Sequence, residues 1–258
     1  MPETEEPLFG GLVNGRVFKV GDTVRRPAGD WTPTIHALLA HLQSKQFPAP
    51  RPLGLDGQGR EILSYLPGDA SKHPWPPALL ATSGASQVGA MLRAYHEAVA
   101  DFRPPVPAIW RHGPQSLGPG EIVLHGDFGP HNLIWTGERL TGVIDFELAR
   151  PGLPEEDAGF AALRVAQLRP DAMAIAAGFA SVPDRRARLA AFADGYGVSP
   201  ERLLDRARAT LTDELDRVVG LGGRGIGPWA SFLALGLDGQ IRVELGWLDE
   251  NLPGLRVR

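Results

Sequence analysis

The sequence predicts an α+β protein in two lobes, a small strand-rich N-terminal part followed by a larger, mostly helical one. Three observations carry this expectation. Short apolar runs punctuated by Gly and Pro fill the chain up to Pro67-Gly68. Beyond that point, apolar residues recur at helical spacing in one segment after another. Within the helical part lies one exception, an island of apolar strands around a polar stretch from His125 to Asn132. The expected boundary gives residues 1–67 as the β-rich lobe and 68–258 as the helical lobe.

The elements follow in order. Gly10-Gly11-Leu12-Val13-Asn14-Gly15 reads as a glycine-rich turn. It leads into a strand over Arg16-Val17-Phe18-Lys19-Val20, a hairpin turn at Gly21-Asp22 and a returning strand, Thr23-Val24-Arg25-Arg26, closed by Pro27. Pro33 suits the first turn of a helix running to about Ser44, with Thr32 as its candidate cap. Ile35, Leu38, Leu39 and Leu42 line its apolar face. Glu61-Ile62-Leu63-Ser64-Tyr65-Leu66 is the next strand, stopped by Pro67-Gly68. Val88, Met91, Leu92, Tyr95 and Val99 then form one face of a helix that ends before Pro104-Pro105. Further helices are expected over 158–168, 185–196 and 201–219, with a last one near Leu245. The island contributes strands at Ile122-Val123-Leu124, Leu133-Ile134-Trp135 and Gly142-Val143-Ile144, the last two joined by a turn at Thr136-Gly137-Glu138.

Composition narrows the function classes. The chain has 258 residues, long enough to bury a full core, and a formal net charge of −4, which argues against a nucleic-acid partner. It has no cysteine, so disulfides, thiolate nucleophiles and cysteine-ligated metals are excluded. No apolar run reaches the ~18 residues of a membrane span, and the acidic N-terminus does not resemble a signal peptide. A cytoplasmic location with no membrane partner is the expectation. Lysine is scarce, at positions 19, 45 and 72 only.

The chemistry concentrates in Leu124-His125-Gly126-Asp127-Phe128-Gly129-Pro130-His131-Asn132-Leu133, a polar loop between two apolar strands. Asp145 follows at the end of Val143-Ile144. A hairpin would gather Asp127, Asn132 and Asp145 at the open end of a small sheet. Phosphoryl transfer needs such a set: a carboxylate to orient a hydroxyl and accept its proton, and oxygen ligands to hold Mg²⁺ on phosphates. Among the other histidines, His36, His41, His96, His112 and His131 have no zinc-site spacing and read as surface or packing residues.

HGDFGPHN followed by VIDFE resembles the phosphotransferase family of aminoglycoside and choline kinases, relatives of the protein kinases. The resemblance implies a two-lobed protein-kinase-like fold, ATP and Mg²⁺ as cofactors, and transfer of the γ-phosphoryl group to a small-molecule hydroxyl. It assigns Asp127 as catalytic base, His125 as the brace of its loop, Asn132 and Asp145 as metal ligands, and Asp157 as the aspartate that fixes the loop from behind. Gly11 and Asn14 would belong to a phosphate-covering turn. Ser64 and Leu66 would belong to the strand and hinge that hold adenine. Arg25 is the match for the basic residue on the α- and β-phosphates, with Arg26 on the opposite face of the strand and Lys19 too close to the glycine turn.

The chain departs from the family pattern in one place. The helix over 33–44 holds no Asp or Glu, so the carboxylate that usually steadies the phosphate-binding cation is missing there. That departure keeps a nucleotide-binding pseudoenzyme or regulatory protein as the alternative function. The acceptor stays open among aminoglycoside-like compounds, amino alcohols and sugars, with Glu147, Glu155 and Glu156 as the acids nearest the loop in sequence. Oligomeric state is equally open.

Overall fold

The computed structural model describes residues 4–8, 17–70 and 73–256. The glycine-rich turn with Gly11 and Asn14 lies outside the described residues. The protein is mixed α+β and divides into two compact units: Met1–Ser71 with Ala94–Asp157, and Lys72–Arg93 with Ala158–Arg258.

The first unit is built on an antiparallel sheet of order β1-β2-β3-β5-β4. Its strands are β1 (Glu5–Pro7), β2 (Phe18–Val20), β3 (Thr23–Pro27), β4 (Pro52–Leu55) and β5 (Arg60–Ser64). Helix α1 (Thr32–Ser44) follows β3 and buries Ile35, Leu38, Leu39 and Leu42, the face the apolar spacing marks. Its start differs from expectation. Thr32 is the first helical residue, after Trp31, and its hydroxyl accepts from Gly29 N–H at 3.0 Å instead of capping the helix.

The strand island belongs to the same unit. Strands β6 (Asp69–Ala70), β8 (Leu133–Thr136) and β9 (Arg139–Val143) make one small sheet, and β7 (Ile122–Leu124) pairs with β10 (Arg150–Gly152) in another. Residues 94–157 cluster with the N-terminal strands for visible reasons. Val143 N–H donates to the Pro48 carbonyl at 3.0 Å, and the Tyr95 ring lies 5.5 Å from that of Phe47. Tyr95 is fully buried and its hydroxyl donates to the Val123 carbonyl at 3.0 Å.

The second unit is helical. It takes α2 (Pro77–Leu80), most of α3 (Thr82–Val99) and of α4 (Pro154–Val165), then α5 (Asp171–Ala176), α6 (Arg185–Tyr196), α7 (Pro200–Gly222), α8 (Trp229–Ala234) and α9 (Leu237–Leu255). Asp184 and Ser199 cap α6 and α7 with their side chains, as short polar residues do before a helix. Helices α3 and α6 touch at backbone distance: a Cβ on Gly89 would sit 2.2 Å from the Phe192 carbonyl, and one on Gly195 2.2 Å from that of Ser86. Only glycine fits such a crossing. Among the described residues no helix is long and apolar enough to cross a membrane.

Candidate active site

The loop between β7 and β8 is fastened from two sides. From behind, the buried Asp157 carboxylate on α4 accepts from His125 N–H at 2.7 Å and Gly126 N–H at 3.0 Å. Burial alone would raise its pKa, but His96, His125 and the loop N–H groups outweigh it and hold the carboxyl below its ordinary value. The loop can reach this carboxylate because Gly126 adopts φ +79°; a Cβ there would stand 2.1 Å from the Leu148 carbonyl. From the side, the fully buried His125 ring packs 4.6 Å from Phe146 and 5.5 Å from Phe128.

Both ring nitrogens of His125 are engaged. Nδ1 accepts from Asp127 N–H at 3.2 Å, so Nε2 carries the proton and donates to the Ile144 carbonyl at 3.0 Å. Burial pushes the imidazole pKa down, which favours this neutral form. His125 thus links the start of the loop to the residue before Asp145.

Ile144 N–H donates to the Asn132 carbonyl at 2.9 Å, a bond that continues the β8–β9 ladder and sets Asn132 beside Asp145. Asn132 is buried, and its Nδ2 donates to the Asp127 carbonyl at 2.9 Å and to Asp127 Oδ2 at 3.0 Å. The amide oxygen therefore points away from Asp127. Asp145 adopts a left-handed backbone, φ 66°, at the tip of the strand, a conformation that Asp tolerates better than most residues. Its side chain is 45% exposed. The three residues that the motif singles out are thus gathered by one short ladder and one amide.

His131 is a surface residue, as the sequence suggests, and it also reaches the aspartate of the loop. Its half-exposed ring places Nε2 2.9 Å from Asp127 Oδ2. The signal was its position four residues after Asp127, where a single 3-10 turn at Pro130–Asn132 brings it back over the carboxylate.

The two arginines of β3 go to different places. Arg26 lies directly opposite Glu61 in the β3–β5 register, and Arg25 opposite Ile62. Opposed residues of an antiparallel pair share a face, so Arg26 and Glu61 point together and Arg25 points the other way. Arg26 Nη1 donates to Asp145 Oδ1 at 2.8 Å, and its Nε is in close contact with Glu61 Oε2. Arg25 instead donates to the Thr23 hydroxyl and lies 3.9 Å from Asp56. Of the two, it is Arg26 that stands at Asp145.

Ser64 and Leu66 line a pocket of about 620 Å³ together with Phe47, Tyr65 and Lys19. That pocket does not include Asp127, Asn132 or Asp145. Ser64 N–H donates to the Arg51 carbonyl, and its hydroxyl accepts from Arg51 N–H. Lys19 sits over the Tyr65 ring, 4.7 Å from its centre. The acids expected near the loop are partly neutralised: Glu147 pairs with Arg111, and Glu156 with Arg150 at 2.7 Å.

A fold of this kind, with a histidine-braced loop presenting Asp127 and Asn132 and with Asp145 just past the following hairpin, defines a small-molecule kinase-type phosphotransferase. Residues 107–209 match the phosphotransferase enzyme family. The trifolitoxin immunity protein of Rhizobium leguminosarum bv. trifolii is 36% identical over 188 residues, covering 71% of this chain and 70% of that protein. The chain belongs to the phosphotransferase enzyme family. The fold is shared with a choline/ethanolamine kinase family protein from Mesorhizobium loti, at a TM-score of 0.62 and 15% identity, over 99% of this chain and 93% of that one. It is also shared with the amicoumacin kinase hAmiN, solved with AMP-PNP and Ca²⁺, at a TM-score of 0.62 and 11% identity, over 97% and 89% of the two chains.

Proposed function

We propose that the protein transfers the γ-phosphoryl group of ATP to a hydroxyl of a small toxin- or antibiotic-like molecule. The observation that carries the reading is the geometry of Asp127. One of its oxygens is held by Asn132 and His131 while its carboxylate stays part-exposed, as an acceptor-orienting base must be. Residues 1–67 serve as the nucleotide-binding lobe and 68–258 as the lobe carrying acceptor and catalytic groups. The acceptor class follows the relative whose name records immunity to trifolitoxin. Amino alcohols, sugars and aminoglycosides are the neighbouring acceptor classes.

The donor set fits Mg²⁺. Asn132 offers an amide oxygen directed away from Asp127, and Asp145, the residue after Ile144 whose N–H bonds the Asn132 carbonyl, offers a half-exposed carboxylate. Among the described residues there is no cluster of three or more His, Cys, Asp or Glu that would cage a metal alone. Few protein ligands with the rest of the shell from phosphates and water is how Mg²⁺ is held at nucleotide sites. When bound there, it would neutralise charge on the β- and γ-phosphates.

The chain's own residues do the rest. Asp127 aligns the acceptor hydroxyl and takes its proton as the new O–P bond forms, and ADP leaves. Arg26 places a permanent cation beside Asp145, where a fork of N–H donors suits phosphate. No covalent enzyme intermediate is required.

A nucleotide-binding immunity or regulatory protein without transfer is the second reading, favoured by the name of the curated relative. The separating experiment incubates the protein with ATP, Mg²⁺ and a panel of hydroxyl-bearing antibiotics, peptide toxins, aminoglycosides, amino alcohols and sugars. Acceptor-dependent ADP with a phosphorylated product supports transfer. ATP binding without product for any acceptor supports the second reading, and no ATP binding at all overturns both.

A further inference from the structure

Helix α1 carries no acid, yet the guanidinium of Arg26 is not left without a carboxylate. Glu61, only 2% exposed, takes that role from β5, directly across the β3–β5 ladder. Its other oxygen, Oε1, lies 3.0 Å from His36 Nε2 on α1. The result is a chain of contacts from α1 through β5 and β3 to Asp145: His36, Glu61, Arg26, Asp145. We propose that Glu61 and His36 are positioning residues for nucleotide phosphate. Glu61 aims Arg26 at the site beside Asp145, and His36 makes that aim depend on where α1 sits. The inference rests on the nucleotide site proposed above and names the residues that hold its cation.

Physical chemistry supports the assignment. A charged residue on the inward face of a half-buried strand is costly unless it is paired. Glu61 shares its face with Leu63, both buried, so its carboxylate is retained only because Arg26 and His36 satisfy both oxygens. A guanidinium has more N–H donors than the contacts to Glu61 and Asp145 use, so holding it from behind leaves donors for phosphate. Arg is also rotamer-rich, and a partner that fixes its Nε removes freedom that phosphate binding would otherwise have to remove. Arg25, on the opposite face with Thr23 and Asp56, has no such link to Asp145.

The test compares ATP·Mg²⁺ with adenosine, which lacks phosphate, by titration calorimetry on the full chain. Glu61→Gln should weaken ATP·Mg²⁺ roughly tenfold, the loss of about one charge-assisted contact, and leave adenosine affinity unchanged. His36→Ala, at a part-exposed site, should weaken ATP·Mg²⁺ several-fold in the same selective way and serves if Glu61→Gln does not fold. In an Arg26→Ala background neither change should weaken ATP further, while in an Arg25→Ala background both should keep their full effect. Equal losses for ATP and adenosine, or additive losses with Arg26→Ala, overturn the positioning role and leave the nucleotide site standing. Parent protein that binds no ATP overturns the site and this inference together.

Discussion

Asp157→Asn is the change whose cost the structure specifies most fully. The buried carboxylate accepts two backbone N–H groups, from His125 at 2.7 Å and Gly126 at 3.0 Å, and lies 3.5 Å from His96 Nε2. An asparagine keeps one acceptor oxygen and turns an NH₂ group toward the other N–H. An unsatisfied buried donor costs ~1–3 kcal/mol, and the surviving bond loses its charge assistance, ~1 kcal/mol more. A neutral amide is cheaper to bury, which offsets part of this, so the net expectation is ~1–3 kcal/mol at pH 7. The pH dependence has a definite sign. Asp157 has a folded pKa below its ordinary 3.8, so its stabilisation is complete above that value and is lost as pH falls through the folded pKa. Urea unfolding of parent and variant at pH 7 and in steps below pH 4 should show a gap that narrows with acidification. Amide exchange at His125 and Gly126 should speed up in the variant. A gap under ~0.5 kcal/mol at pH 7, the scale of an ordinary surface change, or one that does not narrow in acid, would refute the reasoning.

Two further substitutions probe the same frame. Gly126→Ala should strip the protein of turnover and lower its melting temperature, because a Cβ would stand 2.1 Å from the Leu148 carbonyl at a φ that alanine rarely adopts; an unchanged melting curve would contradict this. Arg188→Met should destabilise by ~2 kcal/mol or more in urea, because the buried guanidinium donates to the Leu79, Leu80, Ala81 and Val165 carbonyls and Met leaves all four without it. Burial without a carboxylate pushes the Arg188 pKa down to about 10, so removing the charge recovers part of that cost and Arg188→Lys should fall between parent and Met.

Much of this architecture is legible in the residues, and the gaps have physical causes. Helix α6 was readable over its full length, because a capping aspartate and a following glycine bracket a clear apolar spacing. The candidate-site island is readable for a related reason: a polar loop of fixed spacing between apolar strands has few alternative structures. Strands β4 and β10 were missed. They read Pro-Leu-Gly-Leu and Arg-Pro-Gly, compositions that announce turns, and only pairing with β5 and β7 makes them strands.

The two arginines of β3 are harder to tell apart by sequence. Arg25 and Arg26 are equivalent by type, and a shift of one residue exchanges their faces. The partner strand places Glu61 opposite Arg26, which puts Arg26 on the face that meets Asp145. A signal was available: Glu61 occupies the same face as Leu63 in an alternating strand, and an inward acid demands a cation across from it. Helix α1 holds no acid, and the carboxylate in contact with the Arg26 Nε lies on the sheet.

In the proposed function, Asp127 serves the acceptor and Asp145 the metal-bound nucleotide. Titration of ATP with and without Mg²⁺ onto Asp127→Asn and Asp145→Asn tests that division most directly. The roles assigned here predict that Asp127→Asn binds ATP·Mg²⁺ nearly as the parent does while turnover falls by ~10²–10⁴-fold, and that Asp145→Asn loses the Mg²⁺-dependent part of its affinity. Loss of nucleotide binding in Asp127→Asn, with Mg²⁺-dependent binding intact in Asp145→Asn, would contradict it.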